Sequence, residues 1–174
     1  MSPEPGEFPR ASKFVRAIWL LTTWLPSTRG SNLRVWLLRR AGATVGDGVR
    51  IGPSVKVNAP AGLTLRDGVG VARNASLDAR GGVTVGTNTL VGFESVLLSF
   101  THRYDRTDIP IKQQGMEAAP VLIGSDVWIG ARAFVLPGVT IGDSSVIGTG
   151  SIVTKSLPAG VIAVGSPAKV LRNR

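Results

Sequence analysis

In this 174-residue chain one side chain is suited to taking and returning a proton near neutral pH, the single histidine, His102. It stands in the run Ser99-Phe-Thr-His-Arg-Tyr-Asp105. By residue type alone it is either a general base or a solvated loop histidine. The chain has no Cys, which excludes a thiol nucleophile, a disulfide framework and a thiolate metal site. One His also excludes any site that draws several imidazoles from one chain, and no metal is expected. Glu94, Asp105 or a backbone carbonyl could orient the ring, and the sequence does not choose among them.

The scaffold that must hold this imidazole is legible as a repeat. From Val45 an aliphatic residue returns every six positions: Val45, Ile51, Val57; Leu65, Val71, Leu77; Val85, Val91, Leu97; Ile123, Ile129, Val135; Ile141, Ile147, Val153. All fifteen positions hold Val, Ile or Leu, which make up 47 of the 174 residues, so chance does not account for the pattern. A fixed six-residue period is the mark of a parallel β-helix, with each hexapeptide forming one short extended side. Gly follows the aliphatic residue at 46, 52, 86, 92, 124, 130, 142 and 148, never on the third hexapeptide of a set. Three hexapeptides therefore make one coil of a triangular prism, with Gly expected to relax the corners.

A 20-residue insertion, 103–122, follows the third side of the third coil, directly after His102. A long excursion from one corner of a rigid solenoid is where function concentrates. By coil spacing, Gly82 falls below His102 and Thr140 above it. The tail from Ala159 is expected to close one end of the prism, and three-fold association suits its shape.

Composition agrees with one globular β-rich domain: hydrophobic residues are 43%, charged residues 18%, and there are 22 Gly and 11 Pro. The formal charge is +9 and is concentrated early, with seven Lys or Arg against two Glu in residues 1–44. Such a balance fits an anionic membrane surface or phosphorylated small molecules; no nucleic-acid signature is present. Lys13–Leu25 and Asn32–Arg40 read as short amphipathic helices joined at Pro26–Ser31. They serve either as a cap on the prism or as an interfacial anchor, with Trp19, Trp24 and Trp36 among Arg side chains. The apolar run Phe14–Leu25 is too short to span a bilayer, and the acidic, Pro-rich start is unlike a signal peptide. A cytoplasmic location is expected, with peripheral membrane contact through residues 10–40 if the helices act as the anchor.

The stretch from Ile123 to Lys155, with Val-Trp-Ile-Gly at 127–130, resembles the hexapeptide-repeat O-acetyltransferases, the galactoside and maltose enzymes among them. The ending Leu157-Pro-Ala-Gly-Val-Ile-Ala-Val-Gly-Ser-Pro-Ala-Lys-Val-Leu-Arg172 fits the same pattern. The opening Leu38-Arg-Arg-Ala-Gly-Ala-Thr-Val-Gly and the Trp-rich helices before it look like the subgroup that acetylates exopolysaccharides. The resemblance implies a left-handed parallel β-helix, a homotrimer, and acetyl-CoA bound in the groove between neighbouring prisms. It divides the chain into an N-terminal helical segment, 1–44, and an acyltransferase domain, 45–174.

It also implies roles. His102 matches the family's catalytic His before an equivalent loop, and Ala131 matches a backbone donor near the thioester. Thr149, Thr154, Lys155, Lys169 and Arg172 match positions that hold CoA, whose phosphates suit cations. Trp128 matches a Trp that either lines the acyl or acceptor pocket or fills a subunit interface; it is read as ending the first side of the fourth coil. Arg80 takes the place of an acceptor-holding Asp, and Asp78 two residues away could substitute for it. The expected activity is transfer of acetyl from acetyl-CoA to a hydroxyl of a sugar or lipid-linked polysaccharide unit. An amine acceptor and a non-catalytic β-helix scaffold are the alternatives.

Overall fold

The computed structural model describes residues 27–174. The six-residue period becomes strands of two or three residues that stack in parallel as the three sides of a left-handed β-helix. The first side is Thr44–Val45, Leu63–Leu65, Val83–Val85, Val121–Ile123 and Thr140–Ile141. The second is Arg50–Ile51, Gly70–Val71, Leu90–Val91, Trp128–Ile129 and Val146–Ile147, extended by the hairpin Val161–Gly165 and Ala168–Asn173. The third is Lys56–Asn58, Ser76–Asp78, Val96–Leu98, Phe134–Val135 and Ile152–Val153. Pairing is in register with the repeat, so that Val85 lies between Leu65 and Ile123 although 38 residues separate it from the latter.

Alternation along an extended strand sends one residue in and the next out. Every repeat aliphatic is buried except Val57, which is half-buried and packs against the same core. Each buried aliphatic contributes on the order of 1.5–3 kcal/mol. The small residues four places later, Ala75, Ser95, Ala133, Ser145 and Ser151, are buried as well, because the chain turns there and leaves little room.

The corner glycines owe their place to crowding. A Cβ on Gly92 would lie 2.7 Å from the Ala131 nitrogen, and one on Gly130 would lie 2.6 Å from that of Thr149. The left-handed backbone of the corners falls two residues later, on Ser54, Asn74, Glu94 and Arg132 at one edge and on Asn88, Asp126 and Ser144 at another. Gly at the repeat position therefore lets coils approach one another, and it does not supply the positive φ expected of it.

The N-terminal helix runs Ser27–Arg40, so Ser27–Ser31, expected within a linker, form its first turns. The expected helix 13–25 lies outside the described residues. The helix packs on the first coil and satisfies its open edge. The Ser31 hydroxyl accepts from the Ile51 amide at 2.9 Å, and Arg34 donates to the Ile51 carbonyl at 3.0 Å. Arg39 donates to the carbonyls of Val45 and Gly46. Among the described residues no helix is long and apolar enough to cross a membrane.

Candidate active site

The excursion leaves the prism earlier than its spacing indicates. Ser99 is the last residue held by the coil below; its hydroxyl donates to the Asp78 carbonyl at 2.5 Å and accepts from the Gly81 amide at 2.8 Å. Phe100–His102 then pairs antiparallel with Met116–Ala118, and the hairpin closes where the Ala119 amide donates to Ser99. Val121 and Leu122, counted in the insertion by spacing, already belong to the first side. His102 therefore sits opposite Met116, exposed, on a hairpin projecting from the third corner. Gly82 is not beneath it: the Gly82 carbonyl accepts from Val121, and Thr140 pairs with Leu122. The hairpin left no strong signal, since its strands are three residues long and mixed in polarity.

Among the described residues nothing hydrogen-bonds the His102 imidazole. Glu94, one candidate for orienting it, is committed to Arg132 at 2.6 Å. The ring instead meets Phe100 edge-on, with centroids 6.4 Å apart and planes at 65°. The Arg80 guanidinium lies over the other ring, 3.5 Å from the Phe100 centroid. Arg80 in turn forks Asp78, with Nε to Oδ1 at 2.8 Å and Nη2 to Oδ2 at 2.5 Å. Asn58, in register one coil below, donates to the same carboxylate at 3.4 Å. Burial raises the Asp78 carboxyl's affinity for its proton, but the hydrogen bonds and charge of Arg80 outweigh this and hold it below the usual carboxylate range.

Asp78, the sequence's stand-in for an acceptor ligand, is thus engaged within the chain. It is 6% exposed and both its oxygens already accept. Phe100 is the residue that sequence reasoning missed; only its place two residues before His102, on the same face of a strand, could have pointed to it.

A second group forms on the second side. Trp128 opens a strand there, rather than ending the first side, and stacks between Leu90 and Val146. Trp128 and Leu90 are 55% and 54% exposed. With Phe93, Ala131, Thr149 and the helix residues Ser31 and Asn32 they line an open groove of about 880 Å³. The Ala131 and Thr149 amides lie one coil apart, and among the described residues neither meets a backbone acceptor. The tail hairpin brings Lys169 opposite Val164, whose side chain stands over Gly148, next to Thr149. Arg172 follows on the same strand, while Thr154 and Lys155 leave the last strand of the third side. Lys155, Lys169 and Arg172 are exposed and take part in no ion pair among the described residues. One chain thus holds two separate groups, the imidazole at the third corner and the groove on the second side.

Comparison with known proteins agrees with this architecture. Residues 120–155 match the family described as bacterial transferase hexapeptide (six repeats). An Escherichia coli protein named for colanic acid biosynthesis as an acetyltransferase is 40% identical over 141 residues, covering 81% of this chain and 75% of that one. The chain belongs to the hexapeptide-repeat acetyltransferases. It is therefore an enzyme of the acyltransferase class. The galactoside O-acetyltransferase of Escherichia coli is 37% identical over 136 residues, spanning 78% of this chain and 66% of that one. A galactoside acetyltransferase solved with coenzyme A superposes with a TM-score of 0.83 at 30% identity, over 95% of this chain and 82% of that one. A maltose O-acetyltransferase from Clostridium difficile shares the fold, with a TM-score of 0.83 at 23% identity over 92% and 84% of the two chains.

Proposed function

We propose that this member of the family transfers the acetyl group of acetyl-CoA to a hydroxyl of a sugar or lipid-linked polysaccharide unit. The observation that carries the reading is the exposed imidazole of His102 on a hairpin fixed to the third corner of a family scaffold. His102 takes the hydroxyl proton as the oxygen attacks the thioester carbonyl. The amide of Ala131 donates to the carbonyl oxygen as it gains charge, a role that needs no particular side chain. The carbon–sulfur bond then breaks, and the thiolate of CoA takes the proton from the imidazolium. With no Cys in the chain, direct transfer in a ternary complex is the scheme the side chains allow.

The groove would seat the donor. Trp128 walls the acyl end, Thr149 contacts the pantetheine, Lys169 and Arg172 meet the phosphates, and Thr154 and Lys155, beyond the third side, reach the donor from the neighbouring copy. The two groups lie at different corners of one chain, so a homotrimer, in which the hairpin of one copy faces the groove of the next, brings them together. The exposed Trp36, with the Arg40 guanidinium 5.2 Å over its ring, suits peripheral contact with an anionic membrane from the cytoplasmic side.

The test is an acceptor screen with acetyl-CoA, reading CoA release and the product bond. An alkali-labile ester on a glycan supports the reading. An alkali-stable amide on an amino sugar would replace the hydroxyl acceptor with an amine. No turnover with either class, by a protein that binds acetyl-CoA, would contradict it.

A further inference from the structure

The hairpin that carries His102 is tied to the prism at its base, through Ser99 and Ala119, while among the described residues its far strand, Met116–Ala118, pairs only with Phe100–His102. Something must fix the direction in which the imidazole points. Catalytic imidazoles are ordinarily oriented by a hydrogen bond to the second ring nitrogen. Among the described residues none is present here, and Glu94 is held elsewhere. The contact His102 does make is with Phe100, and the contact Phe100 makes is with Arg80.

We infer that Arg80 is a positioning residue for His102, acting through the Phe100 ring. The inference rests on the reading of His102 as the general base. Arg is suited to the part because its planar guanidinium can fork a carboxylate along one edge while presenting a flat face to an aromatic ring. Asp78 holds that plane, and Asp78 is itself fixed by burial and by the Asn58 amide. The rigid third side of the solenoid is thus connected, through Asn58, Asp78, Arg80 and Phe100, to the imidazole on the hairpin. Phe100 and His102 are two apart on one strand, so a rotation of one side chain is felt by the other. The resemblance sets Arg80 at the acceptor-holding position of the sugar-acetylating enzymes; in space its Nε and Nη2 face Asp78 and its plane faces Phe100.

The experiment measures kcat and both KM values for Arg80→Lys, Arg80→Gln, Phe100→Leu and Phe100→Tyr, with Arg80→Gln repeated in a His102→Ala background. Arg80→Lys keeps a cation for Asp78 and guards against simple unfolding, which melting curves will also report. Expected are losses of about tenfold in kcat for Arg80→Lys, Arg80→Gln and Phe100→Leu, with the KM for acetyl-CoA unchanged, since misplacing a reacting group costs turnover rather than donor binding. Phe100→Tyr, which keeps the ring face, restores the rate. The Arg80→Gln/Phe100→Leu pair is no slower than either alone, and Arg80→Gln has no further effect once His102 is gone. Because the chain has a single His, its ring resonances also report side-chain order directly, and Arg80→Gln should loosen them.

A kcat for Arg80→Gln within twofold of wild type would overturn the inference. So would an equal loss in the His102→Ala background, or a rise confined to the acceptor KM, which would make Arg80 an acceptor ligand. If His102→Ala itself retains full turnover, the base reading fails and the inference fails with it. The ring resonances would then still show whether Arg80 orders the imidazole, so the two failures are distinguishable.

Discussion

Arg34 Nη1 donates to the carbonyl of Ile51 at 3.0 Å, across 17 residues of chain, and the arginine is only 1% exposed. A solenoid must end somewhere, and its last coil presents unpaired backbone groups that invite another strand. Here the helix Ser27–Arg40 lays Ser31, Arg34 and Arg39 over that edge and supplies the missing partners.

Replacing Arg34 by Met should therefore cost about 2–3 kcal/mol, because a buried carbonyl loses its donor. Ser31→Ala should cost about 1 kcal/mol for one neutral bond. Denaturant melts measure both, and light scattering should show Arg34→Met associating through the uncovered edge. Stability equal to wild type for Arg34→Met would show that the helix does not protect the first coil.

A Cβ at Gly130 has nowhere to go, since it would meet the Thr149 backbone nitrogen at 2.6 Å. Gly130→Ala should separate the coils, lower the melting temperature by several degrees and weaken acetyl-CoA binding about tenfold by displacing the Ala131 and Thr149 amides. Gly115→Ala is the control: its Cβ meets nothing within 4 Å, and only its φ of +82° resists, at roughly 1–2 kcal/mol. Calorimetry on both variants separates the two costs.

The Asp78–Arg80 pair sets an acid limb. The Asp78 carboxyl titrates below its unfolded value of about 3.9, so the stabilisation is present above that pH. It is lost as pH falls through the lower folded value, when the native state must take up the proton. Wild type should therefore lose more stability below about pH 4 than Asp78→Asn does, and the two curves should run parallel above pH 5. Parallel curves throughout would mean that the pair does not contribute.

Much of this architecture was readable before any coordinates. The repeat aliphatics from Val45 to Val153 announce the prism because a period of six leaves few alternatives once every position is Val, Ile or Leu. His102 stands out as a candidate because it is the single His in the chain. The path of the chain beyond Ser99 was not readable, since strands of three residues, Phe-Thr-His against Met-Glu-Ala, are too short for their alternation to stand out. Nor was the commitment of Asp78 to Arg80, which depends on the turn at Ala79 folding the two side chains together. The role of Gly92 and Gly130 was misread for a related reason: sequence shows that a glycine is there, while the neighbour one coil above shows why.

If the tail hairpin holds the phosphates of CoA, Lys169→Ala and Arg172→Ala should each raise the Kd for acetyl-CoA by about tenfold, with the effect shrinking at high salt. For at least one of the two variants the loss should be smaller with dephospho-CoA, which would identify the cation that meets the 3′-phosphate. Titration calorimetry reads all four combinations. Equal affinity for wild type and both variants would place the nucleotide elsewhere.

The measurement that bears most directly on the account is the rate of CoA release in the presence of an accepting glycan, with wild type and His102→Ala side by side at equal acetyl-CoA saturation. Loss of a general base predicts a fall in kcat on the order of a hundredfold or more with the Kd for acetyl-CoA unchanged. Turnover by His102→Ala within a few-fold of wild type would contradict the assignment of His102 as the base on which the mechanism depends.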